Sequence, residues 1–199
     1  IAQQAGYCNE NIFELWDWGG GRYSVWSAIG LPVALTVGMD NFTALLSGAH
    51  AMDGHFRTAP LTENMPVLMA LIAIWHINFM GVRSNVVVPY DQYLKHLPVY
   101  LQQLDMESLG KSVASTGEEL DYATGATLLG KPGTNAQHAF FQLLHQGTQR
   151  VPVDLIAACQ SHNPMGNHHE ILLANFFAQG EALMRGRTYK ETHAELLVQ

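Results

Sequence analysis

Residues 65–89 read MPVLMALIAIWHINFMGVRSNVVVP, and this stretch decides the fold. Its first part is apolar almost throughout, but it is shorter than the ~20 residues of a membrane span and includes a histidine and an asparagine. The run predicts a helix over Val67–Asn78 with most of its side chains buried, and Gly81 is a natural end for it. The β-branched run Asn85–Pro89 then predicts an interior strand beside that helix.

Helices and strands alternate in the rest of the chain. Helices are predicted over Gln92–Met106, interrupted or bent near Pro98, from Thr134 or Asn135 as cap to His145 or Gln146, over His168–Met184, and over Tyr189–Leu197. Strands are predicted over Gly125–Leu129 and Val151–Ala158. The polar connector Lys111–Thr124 has the composition of a surface excursion. This order predicts a layered α/β fold with a mainly parallel sheet.

The composition excludes several classes of protein. With 199 residues, 48% of them hydrophobic and 14% charged, the chain can form a sizeable domain with a buried core, which argues against disorder. The formal net charge of −7 argues against a nucleic-acid partner, and no segment predicts a membrane partner. Cys8 and Cys159 suggest neither a disulfide framework nor a zinc motif, which makes a reducing cytoplasm the default location. No metal site is predicted, since the adjacent His168 and His169 would point ~100° apart on a helix.

Three further segments carry an arginine, a carboxylate and an imidazole. They are GGRYSVWSAIG at residues 20–30, QQLDMES at residues 102–108 and GTNAQHAFFQ at residues 133–142. Long strings of this kind in this order resemble the glucose-6-phosphate isomerase family, and the resemblance extends from about Phe13 to about Glu195. Gly19–Gly21 lacks the strand and helix that would make it a nucleotide-binding loop.

The resemblance implies a domain organisation and a partner. Family members contain two sugar-isomerase (SIS) domains of flavodoxin-like, three-layer α/β architecture. By this comparison residues 1–35 are the C-terminal tail of a first SIS domain, and residues 36–199 are most of a second. The family also implies a cytoplasmic homodimer with shared active sites and no cofactor. Because its members are longer at both ends, the chain is expected to be an internal segment.

The resemblance also assigns chemistry to four residues. Isomerisation of an aldose to a ketose moves a proton between adjacent carbons through a cis-enediol(ate), which requires a base, a cation and an acid/base that opens the sugar ring. The family match makes Glu107 the base, His138 the ring-opening group and Arg22 the cation. Gln103 matches a substrate-contacting glutamine, and its spacing from Glu107 places both on one face of a helix. Without the motifs, these would be ordinary surface or ion-paired residues.

The chain departs from the family pattern near these residues. Lys131 stands where glutamate is usual, and Ala136 replaces a glycine two positions before His138. Leu104 and Leu109 replace a glycine and an asparagine on either side of Glu107. These changes remove no presumed catalytic group, but they alter the loops around the site.

The implied function is interconversion of D-glucose 6-phosphate and D-fructose 6-phosphate in glycolysis and gluconeogenesis. A non-catalytic sugar-phosphate-binding SIS module and an inactive fragment remain as alternatives. The family's Ser/Thr-rich phosphate loops and its catalytic lysine fall outside these 199 residues. Because remote phosphate binding positions the reacting carbons, the chain alone is expected to be inactive.

Overall fold

A computed structural model describes residues 4–197. The chain divides into two compact units, with the division between Ile72 and Ala73. The domain boundary after residue 35, which rests on the family resemblance, stays a prediction because compactness alone does not test it.

The first unit is helical. It contains short 3-10 turns at Asn9–Asn11, Gly21–Trp26 and Ala28–Gly30, followed by α1 (Leu31–Val37), α2 (Met39–Thr58) and α3 (Met65–Ile74), the last of which crosses the division. Gly38 joins α1 to α2 with a φ of 84°, which favours glycine. Buried Asn64 links α2 to α3, because its amide donates to the carbonyl of Phe56 at 2.7 Å and its Oδ1 accepts from Val67 N at 3.3 Å.

The helix predicted over Val67–Asn78 is present, but its predicted burial is wrong. It comprises α3 and a π turn at Trp75–Phe79, and none of its side chains is buried. Leu71 is 56% exposed and Ile72 is 54% exposed. An apolar pattern shows that side chains favour burial, but it does not show that this stretch of chain supplies the covering surface. Gly81 does follow the helix with a φ of 67°.

The second unit is built on a three-stranded parallel sheet in the order β2-β1-β3. The strands are β1 (Ser84–Pro89), β2 (Thr127–Gly130) and β3 (Val153–Ile156). Strand β1 is central and buried from Val86 to Pro89, which confirms the interior strand. Val87 pairs with Gly130 on one side and with Asp154 on the other.

Helices follow each strand of this sheet. They are a 3-10 turn at Gln92–Leu94, α4 (Leu97–Gln102), a π turn at Gln103–Glu107, α5 (Gly133–Ala139), α6 (Phe141–Gln146), α7 (His168–Arg185) and α8 (Tyr189–Leu196). A capping box between Thr188 and Glu191 begins α8.

The interruption predicted near Pro98 is present, because a 3-10 turn ends at Leu94 and α4 begins at Leu97. Pro98 itself lies in the first turn of α4, where its missing N–H costs nothing. Two details of the helix predicted over residues 134–146 are wrong. The single helix expected over residues 134–146 is broken at Phe140, whose φ of −148° separates α5 from α6. Neither Thr134 nor Asn135 caps α5, because the helix begins at Gly133 after Pro132.

The two faces of the sheet carry different helices. Side chains alternate along a strand, so Val86, Val88 and Tyr90 share one face of β1, where they pack with Ala136 and Phe141 of α5 and α6. On the opposite face, a Cβ added to Gly130 would lie 2.5 Å from Pro98 Cβ of α4. The second unit is therefore a three-layer α/β arrangement, as predicted.

Candidate active site

Gln103 and Glu107 bracket the π turn that continues α4. Both side chains are exposed. The four-residue spacing still predicts that they lie on one face of the turn. Single π turns inside helices often occur at functional sites.

Two contacts fix this turn to the sheet. Gln102 Nε2 donates to the carbonyl of Leu128 at 3.1 Å, and Leu128 N lies 3.4 Å from Met106 Sδ. Leu128 is buried in β2. The turn that carries Glu107 is thus held along β2 by one polar and one sulfur contact.

The same turn contains a carboxyl group that the sequence reasoning missed. Asp105 is half-buried, and burial raises the pKa of its carboxyl above the usual value. Its neighbours in sequence gave no sign of this, because burial depends on how the turn is rotated against the sheet. Leu104 of the same turn is also half-buried, whereas Leu109 beyond it is exposed.

His138 lies in the last turn of α5 with its side chain exposed. The helix is fitted closely to the core: Ala136 is fully buried, and a Cβ added to Gly133 would lie 2.4 Å from Tyr90 Cγ. Gln137 Nε2 donates to Tyr90 Oη at 2.9 Å. Burial raises the pKa of the Tyr90 hydroxyl, and this hydrogen bond partly opposes the shift. Tyr90 was missed as a support of the site, although its place at the end of β1 was a signal.

Arg22 belongs to the first unit, in the 3-10 turn that begins at Gly21. Gly21 has a φ of 51°, a backbone conformation that favours glycine. Ser24 Oγ donates to the carbonyl of Gly21 at 2.5 Å and closes the turn. Arg22 itself is half-buried.

The structure brings together only part of the predicted site within the second unit. Gln103 and Glu107 lie with α4 on one face of the sheet, and His138 lies with α5 on the other. The sheet therefore separates the proposed base from the proposed ring-opening group of the same chain. Lys131, the charge reversal noted above, is exposed just after β2.

Among residues 4–197, no group of three or more His, Cys, Asp or Glu side chains could hold a metal ion. Within that same range, no helix is long and apolar enough to cross a membrane.

Comparison with known proteins decides the family. The model of the phosphoglucose isomerase family matches residues 2–199. The chain belongs to the phosphoglucose isomerase family. Glucose-6-phosphate isomerase from Methylococcus capsulatus is 61% identical over 186 residues, which cover 94% of this chain and 34% of that protein. The enzyme of the same name from Shewanella baltica is 60% identical over 195 residues, covering 98% of this chain and 36% of that protein. The chain thus spans about a third of the length of these relatives.

Solved structures agree with this placement. A glucose-6-phosphate isomerase from Chlamydia trachomatis superposes with a TM-score of 0.77 at 38% identity, covering 85% of this chain and 34% of that one. A hypothetical protein from Thermus thermophilus superposes with a TM-score of 0.71 at 29% identity, covering 92% of this chain and 45% of that one. The SIS-type fold class expected from the motifs is confirmed.

Proposed function

We propose that the chain forms part of an enzyme that interconverts D-glucose 6-phosphate and D-fructose 6-phosphate, in glycolysis and gluconeogenesis. The observation that carries this proposal is the π turn that exposes both Gln103 and Glu107, in a chain about 60% identical to glucose-6-phosphate isomerases. A pure sugar-phosphate binder would need no exposed base at this position.

The proposed mechanism uses the four residues in sequence. His138 opens the sugar ring by transferring the proton of the C1 hydroxyl to the ring oxygen while the bond between C1 and the ring oxygen breaks, as an imidazole can do near neutral pH. The Glu107 carboxylate takes the proton from C2 of the open-chain aldose, and the electron pair moves toward the oxygen on C1 to give the cis-enediol(ate). Arg22 stabilises the negative charge that develops there. A proton then moves from the oxygen on C2 to the oxygen on C1, and Glu107 returns its proton to C1 as the carbonyl forms at C2, which gives the ketose. Gln103 orients the substrate.

A complete site of this kind needs two copies of the chain. Glu107 and His138 lie on segments that cover opposite faces of one sheet. A substrate bound to a single copy would have to contact both faces of that sheet to use both residues. We therefore propose a homodimer in which each site takes Glu107 from one subunit and His138 from the other. A cyclic dimer supplies such a pair twice, because its interface is self-complementary.

The remaining requirements lie beyond these residues. A dianionic phosphate is held by several N–H and hydroxyl donors with a cation, an arrangement that the Gly- and Ser-bearing turns described above do not supply. We propose that phosphate is bound by further parts of a longer cytoplasmic enzyme, and that those parts cover the exposed apolar side chains of α3. The chain alone is then expected to turn over sugar phosphate poorly or not at all.

The deciding experiment tests Glu107 in a full-length context. A chimera is made in which these 199 residues replace the matching segment of the Methylococcus capsulatus relative, and isomerisation is followed by a coupled assay. Glu107→Gln should lower kcat by about 10²- to 10⁴-fold with little change in KM, the usual effect of losing a positioned general base. The control is Glu118→Gln, which removes an exposed carboxylate from the connector and should leave kcat unchanged. Near-reference turnover by Glu107→Gln would remove Glu107 from the mechanism.

A further inference from the structure

The connector that follows the Glu107 turn is closed at its base by a threonine. The chain leaves the helix at Gly110 and returns to β2 at Thr127. Where it returns, Thr124 Oγ1 donates to the carbonyl of Lys111 at 2.9 Å and accepts from Lys111 N at 3.3 Å. One hydroxyl therefore ties the incoming end of the connector to its outgoing end.

The outgoing end is bonded back to the π turn. Lys111 Nζ donates to the main-chain carbonyl of Glu107, and Gly110 N donates to the carbonyl of Met106 at 2.9 Å. These are carbonyls at the end of a helix, which lack partners within the helix and need them from outside. A Cβ on Gly110 would lie 2.4 Å from Met106 O, so this close approach requires glycine.

A second side chain holds the incoming end. Asn78, in the π turn Trp75–Phe79, donates from Nδ2 to the carbonyl of Ala123 at 3.1 Å and accepts from Ala123 N at 3.0 Å on Oδ1. The amide thus bonds both polar groups of one residue, as a neighbouring strand would. Ala123 directly precedes Thr124, so Asn78 fixes the residue from which the hydroxyl contact is made.

We propose that Asn78 and Thr124 are positioning residues for Glu107. The Asn78–Thr124 clamp, meaning the hydrogen bonds of Asn78 with Ala123 and of Thr124 with Lys111, sets where the end of the π turn lies. The inference rests on the proposed role of Glu107 as the general base. Neither clamp residue belongs to the proposed substrate-binding set. Loosening the clamp displaces the carboxylate, and a displacement of about 1 Å can cost up to about 10²-fold in rate.

The test uses a pair of variants at one position in the chimera. Thr124→Val keeps the shape of the side chain but removes the hydroxyl, whereas Thr124→Ser keeps the hydroxyl. Thr124→Val should lower kcat about tenfold with KM changed less than about twofold. A displaced base stabilises the transition state less but has little effect on substrate binding. Thr124→Ser should recover most of that loss.

The matched control is Thr188→Val, the same substitution at the threonine whose hydroxyl forms the capping box of α8. This variant should lower the melting temperature while kcat stays at the reference value. A merely structural role for Thr124 predicts the same behaviour there: a lower melting temperature with unchanged kcat. Asn78→Ala should reproduce the fall in kcat of Thr124→Val without changing KM.

Amide hydrogen exchange tests the same inference without measuring turnover. In Thr124→Val, amide hydrogens of residues 103–111 should exchange faster than in the reference, while those of α7 should be unchanged. Reference kcat and reference exchange in Thr124→Val, beside an impaired Glu107→Gln, would overturn this inference and leave the proposed function intact. Reference activity of Glu107→Gln would overturn the proposed base and this inference with it.

Discussion

The segments that carry the two proposed groups are held by different means. On the face of α5, Gly133 and Ala136 bring the helix into direct contact with Tyr90 and the valines of β1, and a Cβ on Gly133 has no room. On the other face α4 is also closely packed, since a Cβ on Gly130 would lie 2.5 Å from Pro98 Cβ, but the π turn beyond α4 has polar and sulfur contacts from Gln102, Met106 and the connector. Removal of a hydrogen bond should therefore disturb the turn that carries Glu107 more than the helix that carries His138.

Mixing mutants across the two faces gives the largest expected effect. Glu107→Gln and His138→Ala chimeras should each be nearly inactive as homodimers. When the two are unfolded and refolded together, half of the randomly formed dimers are hybrids, and half of the sites in a hybrid are intact. Activity should therefore recover to about a quarter of the reference.

The control for this recovery is a mixture of Glu107→Gln with a Glu107→Gln, His138→Ala double variant, in which no intact site can form. Hybrids should be verified by a tag on one subunit. If tagged hybrids are present and the activity does not rise above that control, both groups act within one subunit and the shared site is wrong.

Adding one methyl group tests the packed face directly. Gly133→Ala would place its Cβ 2.4 Å from the ring of Tyr90, a contact that must be relieved by moving α5 or the ring. We expect a loss of about 1–3 kcal/mol of unfolding free energy, the usual cost of overpacking. Urea unfolding of the chimera measures it.

Gly48→Ala is the matched change where there is room. Gly48 lies inside α2, and a Cβ there meets no atom within 4 Å. It should stabilise the protein by about 0.5–1 kcal/mol, since alanine favours a helix over glycine. Equal effects of the two substitutions would mean that α5 is not held by close packing.

The sequence predicted the elements better than their environments. The interior strand Asn85–Pro89 and the helices beginning at His168 and Tyr189 were predicted within a few residues, because period and composition are local signals. The burial of α3 was predicted wrongly, because burial depends on surfaces from other parts of a polypeptide. The break at Phe140 escaped prediction for a similar reason: Phe141 enters the core cluster, and only the tertiary packing shows that.

The candidate site shows the same limit. The motifs named Gln103, Glu107, His138 and Arg22, but spacing along the chain could not show that α4 and α5 cover opposite faces. That result depends on the register of β2 against β1, which pairs Gly130 with Val87. The supporting residues Asn78 and Thr124 carry no motif at all, since their contacts join positions 45 and 13 residues apart.

Substitution of Asp105 gives the smallest expected effect, and it tests how far the carboxylate on the α4 face is removed from solvent. Burial raises the pKa of its carboxyl, so the folded state binds the proton more tightly than the unfolded state, whose value is near 3.8. Its contribution to stability is therefore fully present below that pH and is lost as the pH rises through the folded pKa.

At pH 7 the ionised, half-buried carboxylate weakens the fold slightly. Asp105→Asn should accordingly raise the melting temperature of the chimera slightly at pH 7, and the gain should shrink toward pH 3. The comparison is Asp121→Asn in the connector, where the side chain is exposed and the same substitution should change little at either pH. A gain for Asp105→Asn that is equal at both pH values would show that the amide improves packing, and that the carboxylate on this face is as well solvated as one on the surface.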